Sequence, residues 1–191
     1  WINLGWVLRN IDYRLLEMWI DFSKISSAYI EGECQQLWDK MRKDNMGLGT
    51  LRWWAKQDNS IKYNNVVNTA IIKYIDDALG SDGAHFDIAC VVHAIYKDEF
   101  KAITKDVWYK YDKQHHRWKK GREGLELRKL LSIDICKRFM ERSNYYNEYS
   151  DDPIQRAINE EKSKKCLKIA TQLKNSSFKD SIMKECRTLF I

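Results

Sequence analysis

The residues best suited to chemistry lie in a basic, aromatic stretch that runs from Lys105 to Arg142. Lysine and arginine side chains neutralise phosphates, and exposed aromatic rings stack on nucleic-acid bases. The candidate nucleic-acid-binding residues are six cations: Lys110, Lys113, Arg117, Lys119, Lys120 and Arg122. Four aromatic residues are interleaved with them: Trp108, Tyr109, Tyr111 and Trp118. The competing interpretation is that these rings form a small core and the cations its solvated rim, because aromatic residues at strand positions are usually packed.

Sequence motifs for catalysis and metal binding are absent. The sequence has no G-x-x-x-x-G-K-[ST] phosphate loop, no H-E-x-x-H motif and no nucleophile elbow. Adjacent strand residues point to opposite faces, so His115 and His116 could hardly bind one ion. Four acidic pairs lack a second acidic cluster nearby, and we interpret them as solvated surface: Asp76-Asp77, Asp98-Glu99, Asp151-Asp152 and Glu160-Glu161. We expect no catalytic residue, metal site or cofactor in this chain.

The bulk properties limit the class of protein. The 191 residues, 44% of them hydrophobic, suffice for one domain or two small ones. No apolar run approaches the roughly 18 residues of a membrane span, and no signal-peptide pattern is present. Because the chain begins at Trp1 and ends on an apolar run, we expect it to be cut from a longer polypeptide. Five scattered cysteines indicate buried, reduced thiols of a cytosolic protein: Cys34, Cys90, Cys136, Cys166 and Cys186.

Charge is distributed unevenly along the chain. Residues 81–191 carry 23 Lys+Arg against 17 Asp+Glu, which accounts for the whole net charge of +6. An acidic partner, if there is one, should therefore meet the second half of the chain. Solubility alone would also explain so modest an excess.

The elements that must position these residues are mainly α-helical, since the chain has a single proline and eight glycines. Amphipathic spacing predicts helices over 13–22, 31–41, 66–79, 87–100, 125–146, 154–173 and 178–190. Thr50 is the predicted N-cap of a short helix that buries Trp54 and Ala55. Six of the eight tryptophans lie within the first 54 residues, and their helical spacing predicts a core.

A change of period predicts one β-hairpin near 107–119. Its strands would flank a polar turn at 112–114, with Trp108 or Tyr109 pairing with Trp118 across it. The polar stretch 58–65 is the linker candidate. The predicted organisation is two small helical subdomains, 1–60 and 81–191 with the hairpin, joined by a linker and connecting helix over 61–80.

Four sub-motifs of the first segment carry a family resemblance. They are Trp1-Ile-Asn-Leu-Gly-Trp, Trp19-Ile-Asp-Phe-Ser-Lys-Ile-Ser, Glu33-Cys34 with Trp38, and Leu48-Gly-Thr-Leu with Trp53-Trp54. In this order, over about 1–60, they resemble the primase C-terminal domain of type two. That domain follows an archaeo-eukaryotic primase core in viral and plasmid replication proteins.

A second, shorter set of motifs lies in 85–191. It comprises Ile88-Ala89 to Tyr96, Trp108-Tyr-Lys-Tyr-Asp, His116-Arg-Trp and the terminal helix from Phe178 to Phe190. These motifs resemble the domain that precedes the superfamily-three helicase in poxvirus-type and phage-type primase-helicases.

The two resemblances imply a parent protein of a large nucleocytoplasmic DNA virus, asfarvirus- or mimivirus-like. It would be a DNA primase and ATP-dependent hexameric helicase that uses ATP and Mg²⁺ outside this chain. The chain itself would be a non-catalytic connector in viral DNA replication, with DNA contact through the basic hairpin. Its partners would be DNA, single-stranded or forked, the adjacent primase and helicase domains, and other copies, without a membrane, at a viral replication site in the host cytoplasm. The alternative is a purely structural oligomerisation module.

Overall fold

A computed structural model describes residues 1–42, 45–104, 106–148 and 150–191. The fold is mainly α-helical with one small antiparallel sheet, as the sequence predicts. The chain forms two compact units, Trp1–Val67 and Asn68–Ile191. The predicted domain boundaries stay a prediction. Within the described part of the chain, no helix combines the length and the apolar character needed to cross a bilayer.

The first unit consists of short helices: α1 (Ile2–Ile11), a 3₁₀ turn (Tyr13–Leu15), α2 (Leu16–Ser23), α3 (Glu33–Lys40) and α4 (Leu48–Asp58). The next helix, α5 (Ser60–Gly80), contains the boundary between the two units. Most of the predicted polar linker, 58–65, is therefore helical.

Two buried tryptophans form the centre of the first unit. Trp19 and Trp38 are fully buried, and their ring centroids lie 5.8 Å apart. Trp1 also packs on Trp19, with ring centroids 5.1 Å apart, and donates its indole N–H to Ser23 Oγ at 2.6 Å. Gly5 of α1 lies directly against the Trp19 ring, where a Cβ atom would come within 2.5 Å of it. A helix can approach this ring so closely only because glycine has no side chain.

Several predictions for this unit are wrong in detail. Trp1 is 50% exposed and Trp53 is 60% exposed, so the tryptophans are not all core. Ala55 is exposed as well, because α4 has no fully buried residue. Thr50 lies in the first turn of α4 rather than at its N-cap, which is Gly47.

The second unit begins within α5 and continues with α6 (His85–Tyr96), β1 (Phe100–Ala102), β2 (Val107–Asp112) and β3 (Arg117–Arg122). One continuous helical segment follows, made of α7 (Leu125–Leu130), a π-helical turn (Leu131–Ile135) and α8 (Cys136–Tyr146). It covers the range predicted for this helix. The chain ends with α9 (Pro153–Gln172) and α10 (Ser176–Leu189).

Small residues allow α8 and α9 to pack closely. Ser143 and Ser163 are buried, and their hydroxyl oxygens are hydrogen-bonded at 2.8 Å. A buried hydroxyl must find such a partner, because leaving it unpaired costs roughly 1–3 kcal/mol. The core around them is apolar and includes Ile135, Phe139 and Ile169.

One of the acidic pairs interpreted as solvated surface is not fully solvated. Asp76 of α5 accepts two hydrogen bonds from the Arg142 guanidinium, at 2.9 and 2.6 Å, and one from the Tyr146 hydroxyl at 2.8 Å. Burial and this bond to Asp76 raise the pKa of Tyr146 to about 12. Asp76 thus ties α5 to α8 within the second unit.

Candidate nucleic-acid interface

The antiparallel sheet has the strand order β1-β2-β3 and two chemically different faces. Side chains alternate between faces along each strand, so the register assigns every residue to one of them. The face that we call the inner sheet face carries Phe100, Ala102, Trp108, Lys110, Asp112, Arg117, Lys119 and Gly121. The face that we call the outer sheet face carries Lys101, Val107, Tyr109, Tyr111, Trp118, Lys120 and Arg122.

Trp108 anchors the inner sheet face to the core of the second unit. It is 1% exposed, and its ring centroid lies 5.9 Å from that of Phe190. Gly124 passes beneath the ring with φ +68°, and a Cβ there would lie 2.7 Å from Met183 and 3.0 Å from Trp108. The position therefore needs glycine both for its left-handed backbone and for space. For Trp108, the core interpretation of the aromatic residues is correct.

The hairpin itself is confirmed, but its predicted register is wrong. Tyr111, not Trp108 or Tyr109, lies opposite Trp118, and Trp108 lies opposite Gly121. The turn covers 113–116 rather than the predicted 112–114, because Asp112 is the last residue of β2 and β3 begins only at Arg117. The Asp112 carboxylate accepts a hydrogen bond from the backbone N–H of Gln114 at 3.0 Å. His116 closes the turn with a positive φ of 47°. The second strand of the hairpin, β3, extends to Arg122, three residues beyond the predicted end of the hairpin at 119.

Three of the six candidate cations already form ion pairs. Lys110 is paired with Glu126, Lys113 with Glu99 and Lys119 with Asp112, each at 2.5 Å. The Lys119 bond, helped by His115, holds the pKa of Asp112 well below its usual range despite partial desolvation. These cations would bind a phosphate less favourably, because each would first have to break its ion pair with the carboxylate.

The other three candidate cations are exposed, and no ion pair involves them in the described ranges: Arg117, Lys120 and Arg122. Lys120 and Arg122 share the outer sheet face with the rings of Tyr109, Tyr111 and Trp118. The assignment of the six cations to nucleic-acid binding stays a prediction. Lys105, which opens the predicted stretch, lies outside the described residues.

Sequence reasoning missed Lys101, a cation of the same face. It lies on β1, which was not predicted, opposite Tyr109. Its ammonium lies over the Trp118 ring, 5.4 Å from the centroid. The alternation of apolar and charged residue types at Phe100, Lys101 and Ala102 is a strand signal in the sequence, but three residues are too few to establish a strand period.

Metal chemistry finds no support in the described part of the chain, where no group of three or more His, Cys, Asp or Glu could hold an ion. His115 instead contacts Asp112 through Nδ1 at 2.7 Å. All five cysteines are free thiols, four of them buried and Cys90 half-buried.

Comparison with known proteins first relates the N-terminal segment of the chain to a family. Residues 1–55, which include the paired tryptophans of the first unit, match the family model "Primase C terminal 2" (PriCT-2). This match confirms the resemblance carried by the four sub-motifs and relates the chain to primases.

Two relatives then make the relation more particular. The chain is 31% identical over 195 residues to "Putative helicase L207/L206" of Acanthamoeba polyphaga mimivirus, an alignment that covers 97% of this chain and 20% of that protein. It is 34% identical over 68 residues to "Putative helicase 121R" of Invertebrate iridescent virus 3, covering 31% of this chain and 7% of the relative. The PriCT-2 match and the similarity to two viral putative helicases thus confirm the predicted resemblance to a large-DNA-virus primase-helicase. The chain spans about a fifth of the length of the mimivirus relative.

Proposed function

We propose that this chain is a non-catalytic helical connector between a primase and a hexameric superfamily-three helicase, and that it contacts DNA through the cations of its hairpin. The proposal is carried by two matches that overlap in this chain. Residues 1–55 match the PriCT-2 family, and an alignment with a viral putative helicase covers 97% of the chain, including that segment. The aligned relative has a helicase name, and the PriCT-2 family is related to primases.

A connector of this kind would act through proximity. Tethering keeps a primase at high effective concentration near the strand that a helicase exposes, without any new contact. The proposal includes a parent that uses ATP and Mg²⁺, assembles as a homohexamer and works at a viral replication site in the host cytoplasm. Exposed cations of the sheet that form no ion pair among the described residues support the DNA contact, because their hydrated charges can replace the counterions of phosphates.

The DNA contact is tested by neutralising two outer-face cations in the 191-residue chain. Lys120→Gln with Arg122→Gln should weaken binding to a fluorescently labelled fork with single-stranded arms. The slope of log affinity against log salt should flatten by about 1.4, since each lost contact to a single strand contributes roughly 0.7. Fluorescence anisotropy at several salt concentrations measures both quantities.

A matched control removes the same charge elsewhere in the second unit. Lys162→Gln with Lys164→Gln on α9 changes two exposed lysines. Equal affinities and slopes for both double variants would overturn the proposed contact. In that case a purely structural oligomerisation module becomes the better interpretation. Sedimentation of the chain tests it, because such a module should self-associate.

Coupling is tested in the full-length parent polypeptide. Replacing this chain by a flexible linker of equal length should separate primer synthesis from unwinding while each activity persists alone. Primer synthesis that stays coupled to unwinding on a forked template would contradict the connector role.

A further inference from the structure

We infer that the outer sheet face is a binding site for single-stranded DNA that stacks unpaired bases on Trp118 and Tyr111. This inference rests on the proposed DNA contact and deepens it by naming the strand state and the ring surfaces involved. It follows from the separation of rings and charges between the two sheet faces.

The aromatic residues of the outer sheet face are not fully buried in the core. Trp118 remains 38% exposed although it packs edge-on against Tyr111, with ring centroids 5.3 Å apart. Trp118 is exposed and Tyr111 is half-buried, so part of both rings remains open to a ligand beside the cations of this face. The flat ring surfaces can stack on the faces of bases.

The ring of Trp118 is covered by a cation that can be displaced. The Lys101 ammonium lies 5.4 Å from the ring centroid, on a long and exposed side chain. A base that stacks there would take the place of this ammonium, which could then reach a phosphate. The cation–π contact that is lost is worth only about 0.5–1 kcal/mol at an exposed site, less than most base stacks.

Charge complementarity selects a polyanion as the occupant. The outer sheet face carries three exposed cations, Lys101, Lys120 and Arg122. Glu99, which precedes β1 and aligns with Tyr111, has its carboxylate paired with Lys113. The strand from Trp118 to Arg122 spans about 13 Å at roughly 3.3 Å per residue, enough for a short run of nucleotides.

The preference for single-stranded over double-stranded DNA follows from which parts of the bases the rings can contact. In a duplex the base faces are stacked on one another, and only base edges are open in the grooves. Stacking on Trp118 therefore requires bases that are unpaired, as in the arms of a fork. A site that used phosphates alone would bind both forms.

The test compares two 12-mer oligonucleotides with the same phosphates, one of thymidines and one of abasic residues, in fluorescence anisotropy with the unmodified chain. The thymidine oligonucleotide should bind at least about fivefold more tightly, the lower limit for one stacked base. Trp118→Leu should reduce this difference, Trp118→Phe should retain more of it, and Trp118→Leu with Tyr111→Leu should abolish it. Trp53→Leu, which removes another exposed tryptophan, should leave it intact.

The possible results separate this inference from the proposed function. Equal affinity of the unmodified chain for both oligonucleotides overturns stacking, while the charge variants can still reveal a phosphate contact. Failure to bind either oligonucleotide or the fork overturns both. Because the base comparison uses the unmodified chain, misfolding of a tryptophan variant cannot rescue or refute the inference.

Discussion

The close approach of Gly5 to Trp19 predicts that Gly5→Ala destabilises the first unit, although alanine is the better helix former. The added Cβ would lie 2.5 and 2.6 Å from two atoms of the Trp19 ring and 2.9 Å from the Met41 methyl group. Carbon atoms in ordinary contact are about 3.5–4.0 Å apart. The ring would therefore have to move by about 1 Å.

The surroundings of Trp19 leave little room for such a movement. The ring is fully buried and packs against both Trp1 and Trp38. Overpacking a core costs roughly 1–3 kcal/mol, and the gain in helix propensity from glycine to alanine is about 1 kcal/mol at most. Because three contacts under 3.0 Å involve buried atoms, we take the upper part of the overpacking range, about 2–3 kcal/mol, and expect a net loss of about 1–2 kcal/mol in the free energy of unfolding.

Urea denaturation followed by tryptophan fluorescence measures this loss, since six of the eight tryptophans lie in the first 54 residues. Gly49→Ala in α4 is the matched control, because a Cβ there meets nothing within 4 Å. This control should leave stability unchanged or raise it by up to about 1 kcal/mol. A Gly5→Ala chain as stable as the unmodified protein would refute the packing argument.

Three further predictions concern the second unit. Arg142→Met should lower the free energy of unfolding by about 1.5–3 kcal/mol in urea, because Asp76 loses two charged hydrogen bonds. At pH 8, Ellman's reagent should modify Cys90 well before Cys166, whose pKa burial raises to about 11. Burial raises the pKa of Asp134, but hydrogen bonds from Tyr96 and Arg138 outweigh it and leave that pKa lowered. Its stabilising effect is thus present above about pH 4 and lost as pH falls, and Asp134→Asn should flatten that loss.

Each of these predictions has a contradicting result. For Arg142→Met it is an unchanged urea midpoint. For the thiols it is simultaneous modification in the folded chain, with all five reacting alike in denaturant as the control. For Asp134→Asn it is an acid unfolding curve parallel to that of the unmodified chain.

The local hydrophobic period was enough to predict that the long helices exist, but not the polar first turns of α5, which were predicted as a linker. The helical segment 125–146 has a dense apolar period, and its predicted range agrees with the structure. The hairpin was predictable from its β-branched and aromatic run. Its register was not, because the hydrogen bonds of the Asp112 carboxylate determine where the turn begins. Hydrogen bonds between a side chain and the backbone produce no periodic pattern in a sequence, so periodicity cannot predict them.

The candidate site was only partly predictable for a different reason. Its composition is local, but the state of each cation depends on residues far along the chain. Lys110 is neutralised by Glu126, sixteen positions away, whereas Lys120 has no such partner in the described ranges. The same holds for the core, where Ser163 lies in a charged run yet is buried against Ser143.

The π-helical turn at Leu131–Ile135 affects how related sequences should be aligned. Cys136 N–H donates to Leu131 C=O, five residues back, so this turn holds one residue more than an α-helical turn. A homologue with an uninterrupted α-helix would lack one residue here and still keep the positions of Leu127 and Phe139 in the core. A single-residue gap between 131 and 135 would then mark the gain or loss of this turn, and the helix would be homologous on both sides of the gap.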